Sequence, residues 1–420
     1  MDKTRDRNAG YRRDDCIRDP DRDIRRSDRK GNAYRNNGRT APRRSTKHHP
    51  YIDYSMIFII IFLLAFGLVI LYSASYYEAS MDSGCNCDPA FYLKKQLRWL
   101  VFGFIAMALV ANIKYEFYHK IWLPAFIASL VLVACCLAFD PVNGARRWIY
   151  IGSFSLQPAE IVKICTIIMM AELITRFGTA LSSLRVILFV MVGPLSAALM
   201  LYFVTKNLSS AIIVLCIAIG MIFVARPDYL KFFLAAAGVI GAAGLVVYAA
   251  SNSSTQDSLG FRSKRIIAWL DPEKYAKTYG YQTIQALYAI GSGGLFGKGL
   301  GKSMQKLGYI PEVQNDMIFS IICEELGIFG AVAIIAMFGL LCWRIMWIAD
   351  HTKDAYGSFL VVGVFCHIAV QVVLNIAVVT NTIPNTGVTL PFISYGGSSL
   401  LFTMAEIGIV LNVAKHIQVE

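Results

Sequence analysis

Charge is scarce in this chain of 420 residues: Asp, Glu, Lys and Arg make up 16% of it, where soluble globular domains carry about 25%. Together with 56% hydrophobic residues and a mean hydropathy of +0.52, that scarcity excludes a string of soluble domains. It implies an all-α, polytopic integral membrane protein. Histidine is equally sparse, with six in all. His367 sits alone in an apolar run, and His48, His49 and His351 fall in segments read as cytoplasmic, so no catalytic triad is visible. A disulfide framework is missing too. Of the ten cysteines, seven, from Cys135 to Cys366, lie in apolar runs, where Cys behaves as a small hydrophobe. Cys85 and Cys87 share a short loop, Ser-Gly-Cys-Asn-Cys-Asp, but two ligands one residue apart are a weak metal signal.

Residues 1–50 have almost no aliphatic side chains and carry sixteen Lys and Arg against eight Asp, a surplus of eight that leaves only four of the whole-chain +12 for the rest. Such a segment cannot bury enough apolar surface to fold, so it reads as a disordered cytoplasmic tail. It lacks the apolar core and small-residue cleavage site of a signal peptide, and the run starting near Met56 is long enough to serve as an uncleaved anchor. A basic arm beside a membrane meets anionic lipid headgroups more readily than nucleic acid.

What the chain does have is apolar length. Runs able to span a bilayer occur near 55–75, 98–113, 121–139, 157–175, 184–204, 208–225, 229–250, 315–343, 357–380 and 391–414, giving about ten helices with a long loop, 251–314, between the seventh and eighth. The Arg-rich tail, Lys114, Lys120, Arg176, Arg185, Arg226, Lys231, Arg344, Lys353 and Lys415 place both termini in the cytoplasm by the positive-inside rule. On that topology Arg146, Arg147, Lys206 and the cations of 251–314 (Arg262, Lys264, Arg265, Lys274, Lys277, Lys298, Lys302 and Lys306) face outward. Translocated loops tolerate some Lys and Arg. An outward basic surface also suits a polyanion such as a lipid-linked diphosphate.

Four outer constellations carry candidate chemistry. In Gly144-Ala-Arg-Arg-Trp…Gln-Pro-Ala-Glu-Ile-Val-Lys163, a basic-aromatic loop enters a helix near Pro158, and Glu160 and Lys163 share a face. The pair is either a dipole-favoured first-turn acid with its lysine or the lining of a polar cavity, and its cost in an apolar helix favours the cavity. Asp316, after Pro311-Glu-Val-Gln-Asn315, is either a helix cap or a reactive carboxylate at the membrane surface. Glu324 lies about 80° around the helix from Asp316 and is expected in the same cavity; Glu325 is expected to hydrogen-bond a neighbouring helix. Asn381-Thr-Ile-Pro…Leu-Pro-Phe-Ile-Ser-Tyr-Gly-Gly-Ser-Ser399 reads as a broken helix start, in which Ser394, Ser398 and Ser399 either pack as small residues or hold sugar and diphosphate oxygens. The Gly-rich run 291–301 after the helical pattern Tyr281–Ile290 suggests close backbone approach; it lacks the P-loop ending and context.

In their order, Gly-Ala-Arg-Arg-Trp…Gln-Pro-Ala-Glu-Ile-Val-Lys, Ala-Ile-Gly-Ser-Gly-Gly-Leu-Phe-Gly-Lys-Gly-Leu-Gly, Ile-Pro-Glu…Asp-Met-Ile-Phe…Glu-Glu-Leu-Gly and Leu-Pro-Phe-Ile-Ser-Tyr-Gly-Gly-Ser-Ser resemble the SEDS family of FtsW, RodA and SpoVE. The resemblance covers about residues 52–415 and makes 51–420 a SEDS-type transmembrane domain. It implies a peptidoglycan glycosyltransferase that polymerises lipid II at the outer face of the bacterial cytoplasmic membrane, releases undecaprenyl pyrophosphate and works with a class B penicillin-binding protein. By motif position Asp316 is the catalytic carboxylate, with Arg147, Glu160 and Lys163 in the central cavity. Lys298, Lys302, Ser394 and Ser398 complete the expected substrate contacts. Sharing of the leaving-group charge by a divalent cation, Mg or Mn, stays open, although the sequence shows no ligand cluster. Two positions depart from the family pattern: Gln314 stands where His is frequent, and Lys206-Asn-Leu-Ser-Ser210 replaces a more usual Gln-Pro-Asp-Leu-Gly. A lipid-precursor flippase and a non-catalytic scaffold are the alternative readings.

Overall fold

Helix α1 (Tyr54–Met81) starts where Asp53 accepts a hydrogen bond from the Met56 backbone N–H at 3.0 Å, a side-chain cap for an otherwise unpaired donor. The computed structural model describes residues 53–141, 144–151, 154–226, 241 and 261–417. The tail at 1–50, the expected seventh span at 229–250 apart from residue 241, and the Arg262 and Lys264 side chains lie outside the described residues. Along the chain α1 is followed by α2 (Phe91–Asn112), α3 (Glu116–Cys135), β1 (Ile149–Ile151), β2 (Phe154–Leu156), α4 (Pro158–Phe177), α5 (Leu184–Phe203) and α6 (Leu208–Ala225). Then come α7 (Phe261–Leu270), α8 (Tyr281–Gly293), α9 (Ile318–His351), α10 (Ala355–Val379) and α11 (Gly397–Ala414).

Eight described helices are long and apolar enough to cross a membrane: α1, α3 with its 3-10 extension, α4, α5, α6, α9, α10 and α11. The protein is a multi-pass helical membrane protein. The expected count of about ten is not reached among the described residues. Helix α2 overlaps the expected span at 98–113, but its first turns carry Lys94, Lys95 and Arg98, which dilute its apolar character. Among the described residues the one departure from all-α is a small antiparallel hairpin, β1 with β2, pairing Ile149 with Leu156 in the loop between α3 and α4.

Helices α4, α10 and α11 form the centre, with 56%, 61% and 67% of their most apolar stretch buried; α3 and α5 stay at the periphery at 22% and 28%. Side chains such as Val101, Phe102, Leu188, Phe189 and Val192 point outward, as lipid-facing residues do because hydrocarbon does not penalise apolar surface. Arg344 on α9 donates to Asp53 Oδ2 from Nη2 at 2.5 Å and from Nε at 3.1 Å, tying the end of α9 to the start of α1.

Helix α9 is broken. Gly327 has φ 68° and ψ −166°, a conformation closed to L side chains, and divides a short helix from a long one. A break in an apolar span frees backbone groups that lipid cannot satisfy. Here the Gly-rich loop takes all four sides. Lys298 N donates to Glu324 O and Gly299 N to Glu325 O, each at 2.9 Å; Ile328 N and Phe329 N donate to Gly294 O and Leu295 O at 3.0 and 3.2 Å. At Gly297 a Cβ would run into the Glu325 carbonyl and Gly327 N, so the loop and the break interlock.

Candidate active site

The segment 311–316 turns into α9, and Asp316 is buried there. The helix N-cap is Met317 and no side chain caps it, so the capping role considered for Asp316 and Asn315 is absent. Asn315 donates instead to Glu312 Oε2 at 3.1 Å. Burial, with a smaller push from Glu312, raises the Asp316 carboxyl from 3.8 to about 6, against the pull of its own backbone N–H and of the Arg265 charge. Across from it Gly387, with φ 72°, presents no side chain: a Cβ there would lie 3.7 Å from Asp316 Oδ2.

A polar stripe on α10 holds the surroundings. His367, Gln371 and Asn375 are four apart and so share one helix face. Asn375 Nδ2 donates to Asp316 O at 2.8 Å and Val388 O at 2.7 Å. Gln371 Nε2 donates to Thr389 O at 3.1 Å, while its Oε1 accepts from Lys163 Nζ at 3.3 Å. Lys163 in turn pairs with Glu160 at 2.8 Å, and Ser399 donates to Glu160 at 3.4 Å. Both members of the pair are buried. Two sets of hydrogen bonds, meeting at the adjacent carbonyls of Val388 and Thr389, thus lead from the Asp316 peptide through α10 to α4 and α11. His367 is not alone: its Nδ1 lies 2.7 Å from Glu406 Oε2 on α11.

The remaining sequence candidates are placed differently. Arg147 is exposed and donates to Lys206 O at 3.1 Å, outside the hydrogen-bonded network of Glu160 and Lys163. Lys298 pairs with Glu324 at 2.7 Å, and Lys302 is exposed on the same loop. The Ser394 hydroxyl accepts from Leu390 N at 2.8 Å. Ser398 is buried, and its hydroxyl makes no hydrogen bond among the described residues.

Glu324 does not share a cavity with Asp316. Its carboxylate is enclosed by Lys298, Ser303, Met304 N at 3.1 Å and Gln305 N at 3.3 Å, donors from the Gly-rich loop and the segment just after it. Glu324 also lies on the second turn of α9, whereas Asp316 precedes the helix. Glu325 does bond a neighbouring helix: Ser73 of α1 donates to it at 2.7 Å, and Lys306 at 2.9 Å.

Sequence reasoning passed over Gln371, Asn375 and Arg265 as site residues. The first two left a signal, amides four apart in an apolar span; Arg265 stood out only as one of the outward cations, because its place beside Asp316 depends on how 261–270 folds back. Among the described residues no three His, Cys, Asp or Glu side chains gather into a metal-ligating group. Among the described residues the cationic charge available to a substrate is that of Lys and Arg.

These features define a polytopic helical membrane protein with a buried carboxyl, raised to about 6, at the mouth of a broken helix. The family model FTSW_RODA_SPOVE, described as "Cell cycle protein", matches residues 54–419, and the chain belongs to that family. It is 38% identical over 368 residues to Stage V sporulation protein E of Bacillus subtilis (strain 168), covering 87% of this chain and 97% of that one. To the probable peptidoglycan glycosyltransferase FtsW of Trichlorobacter lovleyi it is 36% identical over 369 residues, covering 87% and 94%. Among solved structures it is similar to a chain from "Structural coordination of polymerization and crosslinking by a peptidoglycan synthase complex", with TM-score 0.66, 25% identity and coverage of 86% and 97%. The rod shape determining protein RodA of Thermus thermophilus aligns with TM-score 0.60 and 25% identity, covering 88% and 98%.

Proposed function

We propose that this protein is a peptidoglycan glycosyltransferase that polymerises lipid II at the outer face of the bacterial cytoplasmic membrane, with Asp316 as general base. The observation that carries the reading is the buried Asp316 carboxyl raised to about 6: it is ionised at neutral pH and still basic enough to accept a proton. Asp316 takes the proton from the 4-hydroxyl of the acceptor N-acetylglucosamine as that oxygen attacks the anomeric carbon of the lipid-linked chain. The bond from that carbon to the undecaprenyl diphosphate breaks, its electron pair leaves with the diphosphate, and inversion gives a β-1,4 bond.

Lys163, oriented by Glu160 and Gln371, offsets charge on the leaving group, as preorganised cations do in a site of low polarity. Arg147, Lys298 and Lys302 are assigned to the diphosphate's approach, since Lys298 is anchored to Glu324 rather than beside Asp316. Ser394 and Ser398 are assigned to polar oxygens of the same substrate. The names of the FtsW relatives support the activity, and the synthase-complex neighbour supports a class B penicillin-binding protein as crosslinking partner. Both termini are assigned to the cytoplasm, and the activity serves division, elongation or sporulation.

The test uses the purified full chain, its partner and lipid II. Glycan polymer from the wild type and none from a folded Asp316→Asn is the expected result. Wild-type polymerisation by Asp316→Asn would overturn the base assignment, and lipid translocation without polymer would point to a flippase.

A further inference from the structure

Helices α7 and α8 enclose, with the segments at 311 and 385, a cavity of about 230 Å3 that the reaction described so far does not use. Its walls include the rings of Trp269, Tyr279 and Tyr281, the amides of Gln282 and Asn385, and the Arg265 guanidinium. These side chains are held in place. Arg265 Nη1 donates to Asn385 O at 3.1 Å, Asn385 Nδ2 to Gln282 Oε1 at 2.9 Å, Gln282 Nε2 to Pro311 O at 3.2 Å, and Trp269 Nε1 to Asn381 O at 2.9 Å.

The lining selects a ligand class. Large aliphatic side chains, which an acyl or prenyl chain would want, are missing from it. A diphosphate calls for several cations, and the lining holds one, Arg265, already committed to the Asn385 carbonyl and facing the Asp316 charge. Aromatic faces beside neutral planar amides suit a ring with one apolar face and hydroxyl or acetamido groups at its edge. The volume suits one such ring rather than a drug-sized molecule. Position narrows the choice further. Pro311 begins the turn that ends in Asp316, and Asn385 Oδ1 accepts from N of Gly387, the residue facing Asp316 Oδ2.

We propose that this cavity is the subsite for the amino sugar whose hydroxyl Asp316 deprotonates, with Tyr279, Tyr281 and Gln282 as its binding residues; the assignment rests on the glycosyltransferase reading. The test uses the full chain in lipid nanodiscs with triacetylchitotriose as probe, read by ligand-observed saturation-transfer NMR, and lipid II kinetics with the partner present. Tyr279 is exposed, so Tyr279→Ala leaves the fold intact, and a thermal melt checks that Gln282→Ala, which loses its bonds to Pro311 O and Asn385, stays folded. Each is expected to abolish saturation transfer and to raise KM for lipid II about tenfold with kcat within about twofold, the pattern of a lost binding contact. Asp316→Asn is expected to keep saturation transfer while making no polymer. Unchanged KM and unchanged saturation transfer in both variants would overturn the subsite and leave the polymerase reading standing. Saturation transfer that the variants abolish in a wild-type protein that makes no polymer would do the reverse.

Discussion

Burying Asp316 beside Glu312 has a cost whose sign is measurable. Its carboxyl sits at about 6 in the fold against 3.8 when free, so the stability tied to its protonated form is fully present below about pH 4 and is lost as pH rises through about 6. A shift near two pH units is worth on the order of 3 kcal/mol. Asp316→Asn is therefore expected to unfold at a higher temperature than wild type at about pH 8, with the gap closing toward about pH 4, in thermal melts of the detergent-solubilised protein. The same group sets the acid limb of the rate: turnover should fall about tenfold per pH unit below about 6, as the base becomes protonated. Asn375→Ala removes the donor shared by the Asp316 and Val388 carbonyls. Leaving two buried acceptors unpaired costs roughly 1–3 kcal/mol each, and polymer yield should drop while lipid II still binds. Asp316 was legible in the sequence because a carboxylate between a polar turn and an apolar run is conspicuous. Arg265 was not, since its effect on Asp316 arises only when a distant helix folds over the turn.

Among the elements, the broken helix most tested the reading from hydropathy. Residues 315–343 are apolar on average, and nothing in the sequence marks Gly327 apart from Gly330 and Gly339 as the point where the helix changes direction. The Gly-rich loop was correctly expected to approach another backbone closely, but its partner, the break at Gly327, becomes visible only when both are folded. Gly327→Ala is expected to yield little folded protein on size-exclusion chromatography, because positive φ and collision with Gly297 N and Leu295 O act together. Glu324→Gln should be milder: it keeps the shape and loses the charge that holds Lys298, which is itself about a third exposed and keeps its hydration, so a modestly lowered unfolding midpoint is expected.

For the whole molecule, the positions of nine of the ten expected spans coincide with described helices, because runs of apolar residues of bilayer length have few other ways to satisfy their backbone. The packing was harder to foresee: which helices lie at the centre depends on which faces carry glycine, serine and amide groups, and a helix that is apolar all round gives no direction. The proposed topology puts both ends on the cytoplasmic side. Reporter fusions at residue 420 and at the N-terminus should both fluoresce as cytoplasmic fusions do. The interlock between the Gly-rich loop and α9 also bears on biosynthesis. Every group that satisfies the break at Gly327 comes from residues 294–299, which leave the ribosome before α9 does. The second half of α9 therefore meets a partner already synthesised, within about thirty residues of chain, a short loop to close. The break can seal as the span enters the bilayer, before the helices that follow have been made.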